Sequence, residues 1–128
     1  MSKPILMMLL ALMSSNAMAE WVDAGANETQ HLYYDPATIM KTGNLVKMWH
    51  LHDYSEAKDL AGKKYMSLRV LSEFDCWKNE FRIFNETYHS ENMAGGDVLS
   101  TVSGPTKWQP VPRGSFNEIL KKIACGKK

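Results

Sequence analysis

Only one segment of this chain is patterned as a helix, and it follows a long stretch that favours strands. Apolar residues recur there at helical spacing, namely Phe116, Ile119, Leu120 and Ile123. Ser115 and Glu118 form a capping box at its start, and Glu118 and Lys122 are placed to form an i,i+4 pair on its polar side. The pattern predicts one short amphipathic helix, which must bury its apolar stripe against a sheet.

The clearest strand prediction covers residues 65–77, where side chains alternate between two faces. One face is mostly apolar and carries Met66, Leu68, Val70, Phe74 and Cys76. The other face is mixed and carries Tyr65, Arg69, Leu71, Glu73, Asp75 and Trp77. We expect the helix to dock on the apolar face, which leaves the mixed face to solvent or to a partner.

Further strands are predicted on both sides of this one, at residues 21–22, 31–34, 45–54, 80–89 and 98–102. Residues 55–64 are polar and contain Gly62, so they are expected to form an irregular excursion. The fold class predicted is α+β, a mainly antiparallel sheet of about six strands with a C-terminal helix docked on one face.

The first nineteen residues have the features of a secretory signal peptide. Lys3 precedes an apolar run at residues 5–13, and Ala17-Met18-Ala19 fits a signal peptidase site. Residues 20–128 are then expected to form a single domain in the periplasm, on the outer-membrane surface or outside the cell. The apolar run is too short to span a bilayer, and the first cysteine is Cys76, so neither a membrane span nor a lipoprotein is expected.

Export also decides how the two cysteines are interpreted. Cys76 and Cys125 are the only cysteines, and an even number in a small exported domain indicates a disulfide. The alternative is two free thiols or a redox pair, although the two residues do not form a C-x-x-C motif. A bridge would tether the predicted helix to the strand at residues 65–77, and the last helical turn is expected to loosen near Gly126 to allow it.

Charge and motifs exclude several functional classes. The chain has 15 basic and 14 acidic residues, and removal of Lys3 would leave 14 of each. This balance argues against a general binder of nucleic acids or of anionic membranes. No phosphate-binding loop, nucleophile elbow or paired-cysteine zinc motif is present in the sequence, so no cofactor is expected and no enzymatic activity.

Two small groups of residues offer chemical alternatives. His50 and His52 share a strand face, as in some zinc sites, and His31 and His89 could complete a site only on neighbouring strands. The simpler interpretation is that His50 and His52 face solvent.

A second group, Glu73, Arg82 and His89, could act as base, phosphate clamp and acid of a secreted ribonuclease. The simpler interpretation is that these are polar positions on a half-exposed sheet, since the neutral charge does not suit a nuclease.

The mixed face of the strand at residues 65–77 is the predicted partner-binding or dimerisation surface. Tyr65, Arg69, Leu71 and Trp77 are the residues assigned to it, because Trp, Tyr and Arg dominate interface energetics. The alternative is that loops such as residues 55–64 cover this face and bury its aromatic side chains.

Residues along nearly the whole of 20–128 resemble the surface-adhesin protein E family of exported bacterial proteins. The shared positions are Trp21, Tyr33-Tyr34-Asp35-Pro36, Ile39, Val46, Trp49, Leu51, Asp53, Tyr54, Ser67, Glu73, Asp75-Cys76, Arg82, Tyr88, Trp108, Val111, Gly114-Ser115, Glu118 and Cys125. The resemblance implies an antiparallel sheet with a disulfide-tethered helix. It also implies adhesion to host matrix or plasma proteins such as vitronectin and laminin, and self-association as a homodimer. The alternative role is that of a small periplasmic envelope protein without a host partner.

Overall fold

The computed structural model of the protein describes residues 19–126. The predicted signal peptide therefore lies outside the described residues, apart from Ala19. The strands and the α-helix are β1 (Val22–Ala26), β2 (Gln30–Tyr34), β3 (Met40–Thr42), β4 (Leu45–Leu60), β5 (Lys63–Asp75), β6 (Glu80–Glu91), β7 (Gly95–Ser103), β8 (Gln109–Pro110) and α1 (Phe116–Cys125), and a short 3-10 helix (Pro36–Thr38) precedes β3. Over these residues, no helix is both long enough and apolar enough to cross a bilayer.

All strands join one antiparallel sheet in which the order is β1-β2-β4-β5-β6-β7. The two shortest strands lie off this path, β3 against β4 and β8 against β6. The predicted fold class is confirmed. The six strands of the main path are those that the sequence pattern indicates, whereas β3 and β8 have only three and two residues and are too short to show a period.

The hairpin of β4 and β5 is longer than the sequence pattern indicates. Residues 55–64 are wrongly assigned to an irregular excursion, because β4 continues to Leu60 and β5 begins at Lys63. Ala61 and Gly62 both have positive φ, 50° and 89°, as a two-residue hairpin turn of type I′ requires. The polarity of this segment reflects exposure to solvent on both sides of a projecting hairpin, not the absence of strand pairing.

Helix α1 packs on the predicted face of the sheet. Leu120 and Ala124 are buried against Val46, Met48 and Phe74 in the main hydrophobic cluster. Apolar burial on this scale is the dominant stabilising contribution in a small domain. The expected side of docking is therefore confirmed.

The helix is capped as the sequence predicts, but the polar pair on its surface differs. The Glu118 backbone N–H donates to Ser115 Oγ at 3.2 Å, and Glu118 Oε1 in turn accepts from the Gly114 backbone N–H at 3.0 Å. Because this carboxylate is used in the cap, the described residues contain no ion pair between Glu118 and Lys122.

Cys76 and Cys125 form a disulfide, with Cα atoms 5.9 Å apart. The predicted bridge between sheet and helix is confirmed. The expected loosening of the last helical turn is not found, because α1 stays helical through Cys125 and ends at Gly126.

Candidate partner-binding face

The sheet face opposite α1 contains an arginine stacked on a tryptophan. Trp49 on β4 lies opposite Leu71 on β5, and Arg69 lies opposite Leu51, so all four side chains share this face. The guanidinium carbon of Arg69 is 3.7 Å from the centroid of the Trp49 ring. A cation over a tryptophan face is attracted by the negative potential of the ring.

Arg69 forms no ion pair with another residue in the range 19–126. The ion pairs of the described residues join His31 with Asp23, Lys64 with Asp59 and Arg82 with Glu73. Burial lowers the pKa of the Arg69 guanidinium below its usual range, and the charge of Asp35 opposes this shift only in part. Stacking occupies the flat side of a guanidinium, so the N–H groups at its edge remain able to donate to a partner.

A second row of cations and aromatic rings continues the same face. Lys47 Nζ lies 4.1 Å from the Phe84 ring centroid, and the Arg82 guanidinium lies 4.4 Å from that of Trp108. Arg82 Nε also donates a hydrogen bond of 2.8 Å to Glu73 Oε1, and Arg82 Nη2 forms an ion pair with the same oxygen, so the charge of Arg82 is compensated within the protein. We call the set Lys47, Trp49, Arg69, Leu71, Arg82, Phe84 and Trp108 the cation–aromatic face.

An irregularity in β6 places Phe84 in this row. Ser72 pairs with Ile83 and Leu71 pairs with Asn85, which leaves Phe84 as one extra residue in β6. A bulge of this kind redirects a side chain. Phe84 consequently contacts Lys47 and Arg82 on the face opposite the helix.

The turn between β6 and β7 closes one end of this face. Asp53 Oδ1 accepts hydrogen bonds from Asn92 Nδ2 at 3.0 Å and from the Met93 backbone N–H at 2.8 Å. Ser67 Oγ accepts from the Ala94 backbone N–H at 2.9 Å. The covering segment is thus this turn rather than residues 55–64, and Arg69 and Leu71 remain partly accessible.

The structure brings together only two of the four residues predicted to bind a partner. Arg69 and Leu71 lie side by side at Trp49. Tyr65 instead packs edge-on against Tyr54 and Tyr88, at centroid distances of 5.7 and 4.9 Å.

Trp77 lies beyond the end of β5 and is 85% exposed. Asp75 ends the strand, because its Oδ1 accepts from the backbone N–H groups of Trp77 and Lys78 at 3.0 Å each. An aspartate that bonds the backbone two residues later is a turn signal, and it breaks the alternation from which Trp77 was assigned to the mixed face. The role of Tyr65 and Trp77 in partner binding stays a prediction.

His50 and His52 do not face solvent, so that interpretation is wrong. They lie opposite Val70 and Leu68 on the helix-covered face, and the His52 ring is 6.2 Å from the Phe116 ring. Burial lowers the pKa of His50 well below its ordinary value, with a further contribution from His52. Burial alone lowers the pKa of His52 to about 4.

All four ring nitrogens of these two histidines have hydrogen-bond partners. His50 Nε2 lies 2.8 Å from Ser72 Oγ, His50 Nδ1 lies 3.1 Å from His52 Nε2, and His52 Nδ1 lies 2.8 Å from Gln30 Oε1. His31 is instead bonded to Asp23. Within residues 19–126, no three His, Cys, Asp or Glu side chains are grouped as metal ligands.

The three residues considered for a nuclease are not assembled into one site. Glu73 and Arg82 form an ion pair, with Arg82 Nη2 at 2.8 Å from Glu73 Oε1. His89 lies opposite Ser67, six residues along β5 from Glu73 and therefore about 20 Å away. Its Nε2 is bonded to Thr87 Oγ1 at 2.8 Å.

These observations define a small α+β domain. A disulfide tethers the helix to one face of its sheet, and the opposite face is partly accessible. The chain belongs to the surface-adhesin protein E family, whose model matches residues 21–126.

The fold is similar to that of Haemophilus influenzae protein E. Crystal form II of that protein gives a TM-score of 0.57 at 10% sequence identity, over 85% of this chain and 96% of that chain. A second structure of protein E gives 0.55 at 10% identity, over 86% and 93% of the two chains. Among curated proteins no significant match is found.

Proposed function

We propose that the protein is an exported, non-enzymatic binding domain that uses the cation–aromatic face to contact a protein partner, such as a host matrix or plasma protein. Membership in a surface-adhesin family supports the general role. The observation that carries the proposal is Arg69, stacked on Trp49 and without an ion pair among the described residues.

A half-buried arginine that forms no ion pair with another described residue is more easily explained by binding than by stability. Removing a cation from water costs free energy unless an acceptor replaces the lost hydrogen bonds. Arg82 on the same face has such an acceptor in Glu73, whereas Arg69 forms no ion pair in the part of the chain that the structure describes. A partner that supplies a carboxylate or carbonyl group would compensate Arg69, and the flanking Trp49 and Leu71 would exclude water around that contact.

Alanine substitution at Arg69 and at Trp49 tests the proposal. Each variant is expected to weaken binding to immobilised vitronectin or laminin by at least about tenfold, as for an interface hot spot. Surface plasmon resonance measures the change, and circular dichroism checks that each variant is folded. The matched control is Lys63→Ala, at the exposed tip of the β4–β5 hairpin.

Self-association is measured with the same variants by sedimentation velocity. Tyr65→Ala and Trp77→Ala complete the set of variants, since the sequence pattern also predicts these two residues to bind a partner. If Arg69→Ala and Trp49→Ala leave both matrix-protein binding and self-association unchanged, the cation–aromatic face is not the partner-binding surface.

Location separates this proposal from the alternative of a periplasmic envelope protein. An adhesin is expected to be cut by protease added to intact cells, and to be labelled by antibodies. Protection in intact cells, together with cleavage after the outer membrane is opened, would favour the periplasmic role.

A further inference from the structure

A cleft of about 480 Å³ lies at the end of the molecule that carries the disulfide. Two structural units form its walls. Lys41 on β3 and the turn residues Asn44 and Trp77 belong to the sheet, and Lys121 and Lys122 come from the last turns of α1. The volume is within the range of ligand-binding clefts.

Exposure and charge at this cleft are unusual for the protein. Trp77 is 85% exposed, the largest exposed fraction among the large hydrophobic side chains of the described residues. Lys41, Lys121 and Lys122 form no ion pair with another described residue. We call Lys41, Trp77, Lys121 and Lys122 the Trp77 end.

Asp75, which ends β5 beside the cleft residue Cys76, forms no ion pair with these lysines. Asp75 is buried, and its Oδ1 accepts hydrogen bonds from Asn44 Nδ2 at 2.8 Å and from two backbone N–H groups of the turn. These bonds point the carboxylate inward and hold the turn that displays Trp77. The lysines are therefore left for an external anion.

We propose that the Trp77 end docks on an anionic phospholipid surface. Lysine ammonium groups are attracted to anionic headgroups, and an exposed indole partitions into the boundary between headgroups and acyl chains. The balanced charge of the sequence argues against electrostatic membrane binding only when the charge is averaged over the molecule. The fold instead collects three lysines and one exposed tryptophan at one end.

The disulfide has a specific part in this proposal. Cys76 and Cys125 line the same cleft and join its two walls. Reduction removes the covalent link that keeps Lys121 and Lys122 beside Trp77. Vesicle binding is therefore expected to decrease in reductant.

Vesicle co-sedimentation tests the proposal, using residues 20–128 so that the apolar leader does not itself bind lipid. The protein is expected to sediment with vesicles containing 30% phosphatidylglycerol and not with pure phosphatidylcholine. Trp77→Ala and the double variant Lys121→Gln/Lys122→Gln should each reduce the partition coefficient at least fivefold. Tryptophan emission should shift to the blue on binding, and this shift should be lost in Trp77→Ala.

Matched controls distinguish this surface from general effects of charge or aromaticity. Lys63→Gln/Lys64→Gln removes two lysines at the hairpin tip, and Trp49→Ala removes a tryptophan from the cation–aromatic face; neither should alter vesicle binding. No preference for the anionic vesicles, or an equal loss in these controls, would overturn the proposal. A Trp77-dependent self-association without lipid would also overturn it, by assigning this end to a protein contact.

Discussion

A histidine pair and a half-buried arginine lie on opposite faces of the sheet, and these side chains respond differently to the loss of solvent. His50 and His52 become neutral, because their pKa values fall below the ordinary value. Arg69 cannot lose its proton at physiological pH, even though burial lowers the pKa of its guanidinium. The histidines are therefore accommodated in the core as neutral groups, whereas the arginine stays charged, which is why we propose an external acceptor for it.

When both rings are neutral, the hydrogen bonds form a chain in which each group donates to the next, from Ser72 through His50 and His52 to Gln30. Gln30 Oε1 can only accept, so His52 Nδ1 donates to it and His52 Nε2 accepts from His50 Nδ1. His50 Nε2 then accepts from the Ser72 hydroxyl. Protonation of either ring would place a donor against a donor or force a partner to reorient.

Acid is therefore expected to destabilise the protein through these two residues. In the unfolded chain they titrate near pH 6.5, whereas folded His52 titrates at about 4 and folded His50 also titrates lower. Between pH 6.5 and pH 4 the unfolded state therefore binds more protons than the folded state, and the free energy of unfolding decreases as the pH falls. The contribution of the two neutral histidines to stability is complete above pH 6.5 and is lost towards pH 4. His52 alone is expected to lower the free energy of unfolding by about 3 kcal/mol at pH 4, relative to neutral pH.

Urea unfolding at a series of pH values measures this effect. The variant His50→Gln/His52→Gln should show a smaller decrease in the free energy of unfolding between pH 7 and 4.5 than the unmodified protein. His52→Gln alone serves if the double variant is unfolded at pH 7. Lys63→Gln, at the exposed tip of the β4–β5 hairpin, is the control and should keep the original slope. Parallel slopes for all variants would exclude the histidine pair as the cause.

A structural feature could be predicted from the sequence when it depends on a single strand. It could not be predicted when it depends on how two strands pair. The alternation in residues 65–77 correctly identifies the helix-bearing face, because it is a property of a single strand. The contact of Arg69 with Trp49 depends on the register between β4 and β5, which the sequence pattern did not specify. The position of Phe84 depends on a bulge that is visible only when β6 is paired.

At the scale of elements, the β4–β5 hairpin extends beyond the part of the sheet covered by α1. An irregularity in pairing separates Asp53 from Lys58, and three tyrosines pack together next to it. Tyr54, Tyr65 and Tyr88 come from β4, β5 and β6, so they link three neighbouring strands. This contact explains how a polar segment remains paired, and no period within residues 55–64 could indicate it.

Tyr65→Ala is expected to lower the free energy of unfolding by about 1–3 kcal/mol, because it removes two edge-to-face aromatic contacts worth about 0.5–1.5 kcal/mol each. Urea denaturation measures the loss. Tyr65→Phe keeps both rings in contact and should be close to the unmodified protein. A loss of less than 0.5 kcal/mol for Tyr65→Ala, on the order of an ordinary surface substitution, would contradict a structural role for the cluster.

At the scale of the whole molecule, the two sides of the sheet have different roles. One side packs against α1 and is closed by the disulfide. The other remains partly accessible and carries stacked cations. Because one covalent bond joins the final helix to the sheet, we expect the stability of the entire domain to depend on it.

Cys125→Ser should lower the melting temperature by more than about 10 °C under oxidising conditions. The bridge spans 49 residues of sequence, and closing a loop of that length stabilises a fold by about 4 kcal/mol on the chain-entropy model. Differential scanning calorimetry measures the change. In reductant the two proteins should melt at nearly the same temperature, and a large difference there would instead indicate a defect in packing around Cys125.

If the domain binds a partner as proposed and is pulled, the disulfide also has a mechanical consequence. Under tension, chain between two bonded cysteines cannot extend, even after its hydrogen bonds break. The bond between Cys76 and Cys125 encloses β6, β7, β8 and nearly all of α1. About 170 Å of potential extension is thereby removed, and a pulled molecule would lengthen only through β1 to β5.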